Sequence, residues 1–501
     1  MSSTRRTSDP GTPDQSADRS DDHRYRWRAL AVTLLVGFMS LLDVTIVNVT
    51  VPSIQQGLHA SASSVQWVVS GYALTFGLTL VAGGRLGDVL GRRRMFVIGL
   101  VGFIVTSAAA GLAPDQHALV VARLLQGAAA GLLTPQNSGL IQQMFSGSER
   151  GRAFGYFGTT VGVSAAAGPV IGGLLLQAFG ETDGWRYVFY VNVPIGLVAL
   201  VLAMRWLPKG EAGRGAWRRE IDFLGSLLLG AAVLCVLLPI VDAMADPATP
   251  LWFLVLAAPV LAWAFVRWER RLLRRGRSPL LDVRLLGQAP GYASGIVLGS
   301  AYFCGFSGIW LVLALYLQDE LGYSPLQSGL TVTPFAIGSA GAAVLAGRLV
   351  SRFGRRVTVV GVGMVFVGFA GTAAIVPLTS PDHQALWLAL PLLVAGIGSG
   401  ATISPNITLT LDAVPPKMGG AAGGALQTGQ RIGSAVGAAV LASAYRVALA
   451  AGAGSGAAVG IALVTALVFT GLALALAVRE LKLRPALGSA VEEDSREPAH
   501  A

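Results

Sequence analysis

The sequence predicts an all-α polytopic membrane protein with fourteen spanning helices. Of its 501 residues, 53% are apolar and only 13% are charged, about half the charged share that is usual in soluble domains. Apolar stretches of about 18 to 27 residues recur along the chain, and each is long enough to cross a hydrocarbon core about 30 Å thick. In chain order they cover residues 29–51, 65–84, 95–113, 117–141, 153–178, 188–207, 222–241, 251–268, 291–317, 327–347, 357–377, 385–409, 429–450 and 457–479.

The basic residues alternate between the two sides of this predicted arrangement. Thirty-three of the 37 Lys and Arg residues fall in the N-terminal tail, the C-terminal tail and the even-numbered loops, whereas the opposite side has only Arg186 and Arg446. The positive-inside rule therefore predicts that both termini are cytoplasmic. Topology and contact with lipid headgroups explain the net charge of +10 better than nucleic-acid binding does.

The soluble segments are too short for a catalytic domain. Residues 1–26 are expected to form a disordered cytoplasmic tail, 27–208 an N-terminal six-helix bundle and 291–480 a C-terminal one, with a second tail at 481–501. Residues 209–290 are interpreted as cytoplasmic linkers around two inserted helices at about 222–241 and 251–268. Cys235 and Cys304 lie in apolar stretches and predict no disulfide framework.

One internal repeat indicates how the two halves are related. The segment 84–93 aligns with 347–356 at a constant offset of 263 residues, with Gly, Arg, Leu, Gly, Arg and Arg shared. The copies lie after helices 2 and 10, so the halves are offset by eight helices, and two helices are inserted between two six-helix units. Parallel six-helix repeats with a binding site between them are a transporter architecture.

Several motifs resemble those of the major facilitator superfamily, and in particular its fourteen-helix drug:proton antiporters. The first repeat resembles the loop motif between helices 2 and 3, and residues 42–52 resemble the first-helix motif. The other matching positions are Arg123, Gln126 and Gly127 in helix 4, Gly162, Gly168, Pro169, Gly172 and Gly173 in helix 5, and Trp185, Arg186, Asn192, Pro194 and Gly196 at the start of helix 6. The resemblance covers about residues 27–480 and implies two bundles that alternate access to a central site.

Of the 27 acids, 26 are assigned to one side or the other, including Asp222 at the very start of a span, and Asp43 alone is left in the interior of a predicted span. A carboxylate at a helix centre costs about 2.5 to 3.5 kcal/mol on insertion scales, so such a residue is a functional candidate. Helix rise places both Asp43 and Arg123 about 21 Å from the cytoplasmic edge of the core. The equal depth is consistent with an ion pair between them.

Two interpretations of this pair are open. It can be a fixed contact that orients two helices, or Asp43 can gain and lose a proton as conformational change exchanges burial for contact with Arg123. Under the second interpretation a cationic substrate and a proton compete for one carboxylate. Arg431 is also open, because it can snorkel from the end of its helix or be a second buried charge.

The first repeat also predicts a cytoplasmic gate at Gly84, Asp88, Gly91, Arg92 and Arg93. The glycines allow close approach, and Asp88 can bind a cation or the N-terminus of a neighbouring helix. The alternative is that this segment only fixes the orientation of the helices in the membrane, a role that needs positive charge and nothing else. In the second copy Ser351 replaces Asp88, so a weaker latch is expected there.

The substrate cavity is predicted from polar and aromatic residues in the spans. Interhelical hydrogen bonding or an interfacial position would explain the same residues. The polar candidates are Asn48, Gln126, Gln136 and Asn137, and an aromatic wall for flat cations is expected from Trp67, Tyr72, Phe76 and Trp310. For the helix 5 run, generic packing competes with a seal between the two halves, which the resemblance implies.

The sequence lacks the residues that other functional classes require. No lysine lies in a phosphate-binding Gly-x-x-x-x-Gly-Lys loop, and no histidine lies at membrane depth beside the Gly305–Gly308 serine motif. The sequence thus predicts no catalytic residue, no metal site and no cofactor, with the proton gradient rather than ATP as the energy source. The expected protein is a monomeric, proton-coupled antiporter of the bacterial plasma membrane that exports amphipathic, cationic drugs or a secondary metabolite. The alternatives are a dedicated metabolite exporter, a proton symporter or a membrane sensor.

Overall fold

The computed structural model describes residues 15–180, 182–208, 222–245, 250–380 and 383–483. Fourteen helical stretches in these ranges are long and apolar enough to cross a membrane, which confirms the predicted number. The helices are α1 (Gln15–Gly57), α2 (Ala62–Leu90), α3 (Arg92–Gly111), α4 (Gln116–Met144), α5 (Gly147–Phe179), α6 (Gly184–Tyr190), α7 (Asn192–Trp206), α8 (Phe223–Ala245), α9 (Leu254–Arg274), α10 (Leu285–Gln288), α11 (Tyr292–Leu315), α12 (Pro325–Phe353), α13 (Arg355–Ile375), α14 (Gln384–Leu411), α15 (Gly419–Ala450) and α16 (Ser455–Leu483). The sixth span consists of α6 and α7 together, and α10 is a single short turn between spans.

Most spans are longer than the apolar stretches that predicted them. Hydropathy detects the part of a helix inside the hydrocarbon core, whereas the helix continues through polar residues beyond it. The segment between the second and third spans is therefore not the loop that the repeat suggested. Its residues belong to α2 and α3, and only Gly91, with a φ of 96°, separates the two helices.

The sequence predicted a disordered tail at residues 1–26, and the described part of this tail is instead helical. The chain is helical from Gln15, and Arg26 holds this extension to the end of α4 and the start of α5. Its guanidinium donates to the Met144 carbonyl oxygen at 3.3 Å and lies 3.5 Å from the Glu149 carboxylate. The predictions for residues 1–14, 209–221 and 484–501 lie outside the described residues.

The helices form two six-span halves, α1–α7 and α11–α16, with α8 and α9 between them in sequence. The insert lies beside the seam where α2 of the first half packs against α15 of the second. Val233 and Leu237 of α8 pack with Leu74 of α2 and Ile432 of α15. Helix α9 packs on α8 and leaves large apolar side chains such as Trp263 on the outer surface, as expected of a lipid-facing helix.

The two halves contact each other along α2 with α15 and α5 with α12. An even number of spans returns the chain to the side on which it began, and we call that side the terminus side. Gln142 donates to the Leu411 carbonyl oxygen at 3.0 Å, and Arg150 lies 3.5 Å from Asp412. These contacts join the ends of α4 and α5 to the end of α14, so the halves are closed on the terminus side.

Candidate functional site

Asp43 lies at the centre of a buried polar cluster in the first half. Its side chain is 0% exposed, and its Oδ2 lies 2.6 Å from Arg123 Nη1 of α4. The Oδ1 atom accepts a hydrogen bond from Gln126 at 3.0 Å and another from Asn192 at 2.8 Å. All three partners are donors, so a proton placed on Asp43 would displace at least one of these hydrogen bonds.

The partners of Asp43 are themselves held by neighbouring helices. Gln126 accepts from Arg123 at 2.7 Å, since residues three apart on α4 share a face. Gln126 and Asn192 both donate to the Ser107 hydroxyl of α3, which in turn donates to the Phe189 carbonyl oxygen at 3.0 Å. Asp43 is therefore connected to α3, α4 and α7, and a movement of α1 against these helices would change its hydrogen bonds.

The guanidinium of Arg123 has two further contacts with α2. Its Nε donates to the Val68 carbonyl oxygen at 3.0 Å, and its Cζ lies 4.2 Å from the centroid of the Tyr72 ring. Tyr72 stacks on Phe76 with 6.0 Å between centroids and 10° between planes. These contacts join the polar cluster to the seam between the halves, since α2 lines that seam.

The gate residues surround the start of α15 rather than a loop. The Asp88 carboxylate accepts hydrogen bonds from the backbone N–H groups of Gly420, at 3.1 Å, and Ala421, at 2.9 Å. It also lies 2.9 Å from Arg92, whose guanidinium donates to the carbonyl oxygens of Gly139 and Pro416. An acid at a helix N-terminus is favourable because it satisfies free N–H groups and the helix dipole. Asp88 and Arg92 thus connect the first half to the second on the terminus side.

The other gate residues have different surroundings. A Cβ atom on Gly84 would lie 2.2 Å from the Gly420 carbonyl oxygen, so the two backbones touch only because both residues lack side chains. Arg93 donates to the Met204 carbonyl oxygen at the end of α7, within its own half. Gly91 provides the positive φ angle at the corner between α2 and α3.

The predicted cavity residues do not form one cluster. Gln126 belongs to the group around Asp43. Gln136 is fully buried and donates to the Gly83 carbonyl oxygen of α2 at 2.8 Å, so it joins α4 to α2. Asn137 is 1% exposed and lies beside Gly37 of α1. Asn48 lies on α1, and its side chain is outside the described part of the structure.

The predicted aromatic wall is divided in the same way. Trp67 lies on the face of α2 that packs against the inserted helix α8, together with Leu74. Tyr72 and Phe76 lie on a different face of α2, stacked on each other. Trp310 packs against Phe335 in the second half, with 4.5 Å between ring centroids.

The glycines of α5 approach two different neighbours. A Cβ atom on Gly162 would lie 3.2 Å from α12, across the seam, whereas the same atom on Gly168 or Gly172 would meet Thr45 or Ile46 of α1. Around Gly173 there is room for a side chain. Helix α5 runs without interruption past Pro169, whose side chain is not among those described. Among the described residues of the run, only Gly162 contacts the other half.

Sequence reasoning missed two members of the cluster and a second buried pair. Ser107 and Asn192 are neutral, so no charge marked them, although Asn192 belongs to the motif at the start of the sixth span. In the second half, Arg355 lies 2.8 Å from Glu480 and donates to Asn406 at 2.7 Å. Arg355 and Glu480 both lie near the ends of predicted spans, where the sequence marks them only as cytoplasmic charges.

Comparison with known proteins agrees with this geometry. The sequence profile of the Major Facilitator Superfamily matches residues 33–438 and 295–494. The chain belongs to the major facilitator superfamily. It is thus a membrane transporter by family, and the resemblance of its motifs to those of this superfamily is confirmed.

Curated relatives and a solved structure support the assignment. The chain is 38% identical to the "Probable actinorhodin transporter" of Streptomyces coelicolor, over 83% of this chain and 72% of that protein. It is 34% identical to the "Puromycin resistance protein pur8" of Streptomyces alboniger, over 82% and 80% of the two chains. The proton:xylose symporter XylE has a TM-score of 0.65, covering 91% of this chain and 96% of that one at 17% identity. This last likeness shows the fold alone.

Proposed function

We propose that this protein exports amphipathic antibiotics or drugs in exchange for protons, by alternating access between its two halves. The observation that carries the proposal is the buried pair of Asp43 and Arg123. A carboxylate at membrane depth that is not needed for topology is typical of proton-coupled transport. The relatives named as a probable antibiotic transporter and a drug-resistance protein favour export as the direction.

The closed terminus side is consistent with an outward-facing state. If the termini are cytoplasmic, as the basic residues predict, the contacts of Asp88 close the cytoplasmic end. In this state the Asp43 carboxylate has Arg123, Gln126 and Asn192 as donors. We propose that a proton arriving from outside breaks the contact with Arg123 and allows α1 to move against α4.

The proton gradient would supply the energy without ATP or a bound cofactor. A charge that moves through the full membrane potential is worth about 2.3 kcal/mol per 100 mV. One proton per cycle is therefore a usable driving force for export across the bacterial plasma membrane.

Proton release on drug addition tests the proposal. Purified wild-type protein in weakly buffered detergent would release protons when a drug from a panel binds, and Asp43→Asn would bind drug without release. Asp183→Asn is the matched control, because Asp183 also lies within 3.5 Å of an arginine, Arg186 of the same half, but is 70% exposed. Equal release from wild type and Asp43→Asn would show that the pair is structural and would refute coupling at this site.

Transport in proteoliposomes distinguishes export from import. With an imposed proton gradient, an antiporter accumulates drug on the side from which protons leave, whereas a symporter moves both in the same direction. Since XylE shares the fold and is a symporter, the fold does not decide between the two. A dedicated exporter of a host's own antibiotic, favoured by the relative from Streptomyces coelicolor, would transport one member of a broad panel rather than many.

A further inference from the structure

Arg431 lies at the seam between the halves, deep within the membrane. It is on α15, and its Cζ atom lies 4.6 Å from the centroid of the Phe76 ring on α2. Phe76 is the middle residue of α2, which runs from Ala62 to Leu90. The guanidinium therefore lies near the middle of the bilayer and does not snorkel to the headgroups.

The two arginines beside the stacked rings differ in their partners. Arg123 contacts the Tyr72 ring and is neutralised by Asp43 at 2.6 Å. For Arg431, no described residue supplies a carboxylate within 4.0 Å or a hydrogen-bond acceptor. An arginine side chain stays protonated in proteins. The group formed by Asp43, Arg123, Tyr72, Phe76 and Arg431 thus has one positive charge in excess.

The acids of the polar cluster and of the gate are held by other groups. Asp43 has three donors of its own, and Asp88 is held at the end of α2 by Arg92 and the N-terminus of α15. Charges within a membrane are expensive and normally pair with one another or face a cavity. Arg431 is half-buried and lies on α15, which packs against α2 along the seam.

A second observation indicates what occupies this position. The Tyr72 hydroxyl is buried and has no hydrogen-bond partner within the described ranges, although Tyr72 is only 2% exposed. Tyr72 and Phe76 are one helical turn apart and stack with nearly parallel rings. A cation, a free hydroxyl and flat aromatic rings together favour a ligand that is planar and negatively charged.

We propose that Arg431, Phe76 and Tyr72 bind the acidic group of an aromatic anion, so that the transported substrate is anionic rather than cationic. This inference rests on the proposed export function, because the site lies on the seam that alternating access would open. In this arrangement the guanidinium of Arg431 pairs with a carboxylate or phenolate, and the ring of Phe76 lies beneath the guanidinium.

Ligand binding to the purified protein in detergent tests the charge preference. The probes are 2-naphthoate, 9-anthroate and 1-pyrenecarboxylate, each compared with its uncharged methyl ester. At least one acid is expected to bind wild type tenfold or more tightly than its ester, and Arg431→Gln is expected to lose that preference. Arg431→Lys would retain part of it, and Phe76→Leu would weaken acid binding severalfold.

A matched control separates this site from a general effect of positive charge. Arg267 also rests on an aromatic ring, with its Cζ 5.1 Å from the Trp263 centroid, but it is exposed on the outer face of the inserted helix α9. Arg267→Gln is expected to bind the acids as wild type does. Equal binding of acids and esters, unchanged acid binding by Arg431→Gln, or no binding of any acid to wild type would overturn the proposal.

The result is independent of the coupling experiment. Binding in detergent needs neither vesicles nor a proton gradient, so acid binding through Arg431 can survive a failure of proton release at Asp43. Conversely, drug-triggered proton release with no preference for acids would support the exporter and refute the anion site. Thermal unfolding of Arg431→Gln checks its folding, and removing an unpaired charge is expected to leave stability unchanged or raised.

Discussion

The two copies of the repeated glycine motif have the same backbone design and different electrostatics. Gly84 of the first copy touches the Gly420 carbonyl oxygen of the second half, and Gly347 of the second copy touches the Gly151 carbonyl oxygen of the first half. Gly91 and Gly354 both turn the chain with positive φ angles, of 96° and 53°. The close approach of the halves on the terminus side is therefore nearly symmetric.

The charges are not symmetric. In the first copy, Asp88 accepts two backbone N–H groups from the other half and pairs with Arg92. In the second copy, Ser351 is exposed and donates to the Arg348 carbonyl oxygen of its own helix. Arg355, which corresponds to Arg92, pairs with Glu480 and Asn406 of its own half.

The difference in charge between the two copies shows that the motif can have two roles, close packing of helices and electrostatic recognition of the other half. In both copies the glycines allow the helices to touch, but only the first copy adds a charge that recognises the other half. The second copy uses its arginine to hold α13 against α14 and α16. The closed state is thus stabilised by electrostatics on one side of the pseudo-symmetric seam and by packing on the other.

The largest effect is expected from Asp88→Asn, which removes the charge from the first copy. The substitution weakens the bonds to Gly420, Ala421 and Arg92 at a cost of about 3 kcal/mol, roughly a hundredfold change in the ratio of open to closed protein. Spin labels at Arg94 and Arg356, both exposed on the terminus side, would report a longer distance. Labelling requires replacement of Cys235 and Cys304. An unchanged distance distribution would show that Asp88 does not stabilise closure.

A smaller effect of another kind is expected from Glu480→Gln. The amide oxygen of Gln can still accept a hydrogen bond from Arg355. The bond is then no longer strengthened by a negative charge, which lowers the stability of the protein by about 1 kcal/mol. Because the pair lies within one half, the thermal unfolding temperature in detergent would fall by a few degrees while the distance between the labels stayed the same. Opening of the terminus side without loss of stability would contradict the assignment of this pair to one half.

The smallest effect is expected from Ser351→Asp, which restores the acid in the second copy. No backbone N–H of the other half donates to Ser351 in the part of the chain that the structure describes, so the new carboxylate would remain solvated. The free-energy difference between open and closed protein, measured with the same labels, should change by less than about 0.5 kcal/mol. Ser351→Ala is the control. A marked tightening of the closed state would mean that the second copy can also act as a latch.

Much of the candidate site could be predicted from the chain alone because charge inside a span is rare. Asp43 and Arg123 were found by elimination and by their equal depth, and the structure brings them into contact. Asn192 and Ser107 were missed because neutral polar residues are common in transmembrane helices and carry no such signal. Trp67 was grouped with Tyr72 and Phe76, but the inserted helix α8 covers the face on which Trp67 lies.

The sequence by itself determined the fourteen spans, the side on which the basic residues lie and the few charges at membrane depth. These are local properties, since each depends on the transfer of a short segment between water and hydrocarbon. Only the tertiary structure decided that Asp88 caps α15, that Arg355 pairs within its own half, and that Arg431 rests on Phe76 rather than reaching the headgroups. Such partners come from helices tens or hundreds of residues apart, so helix packing selects them.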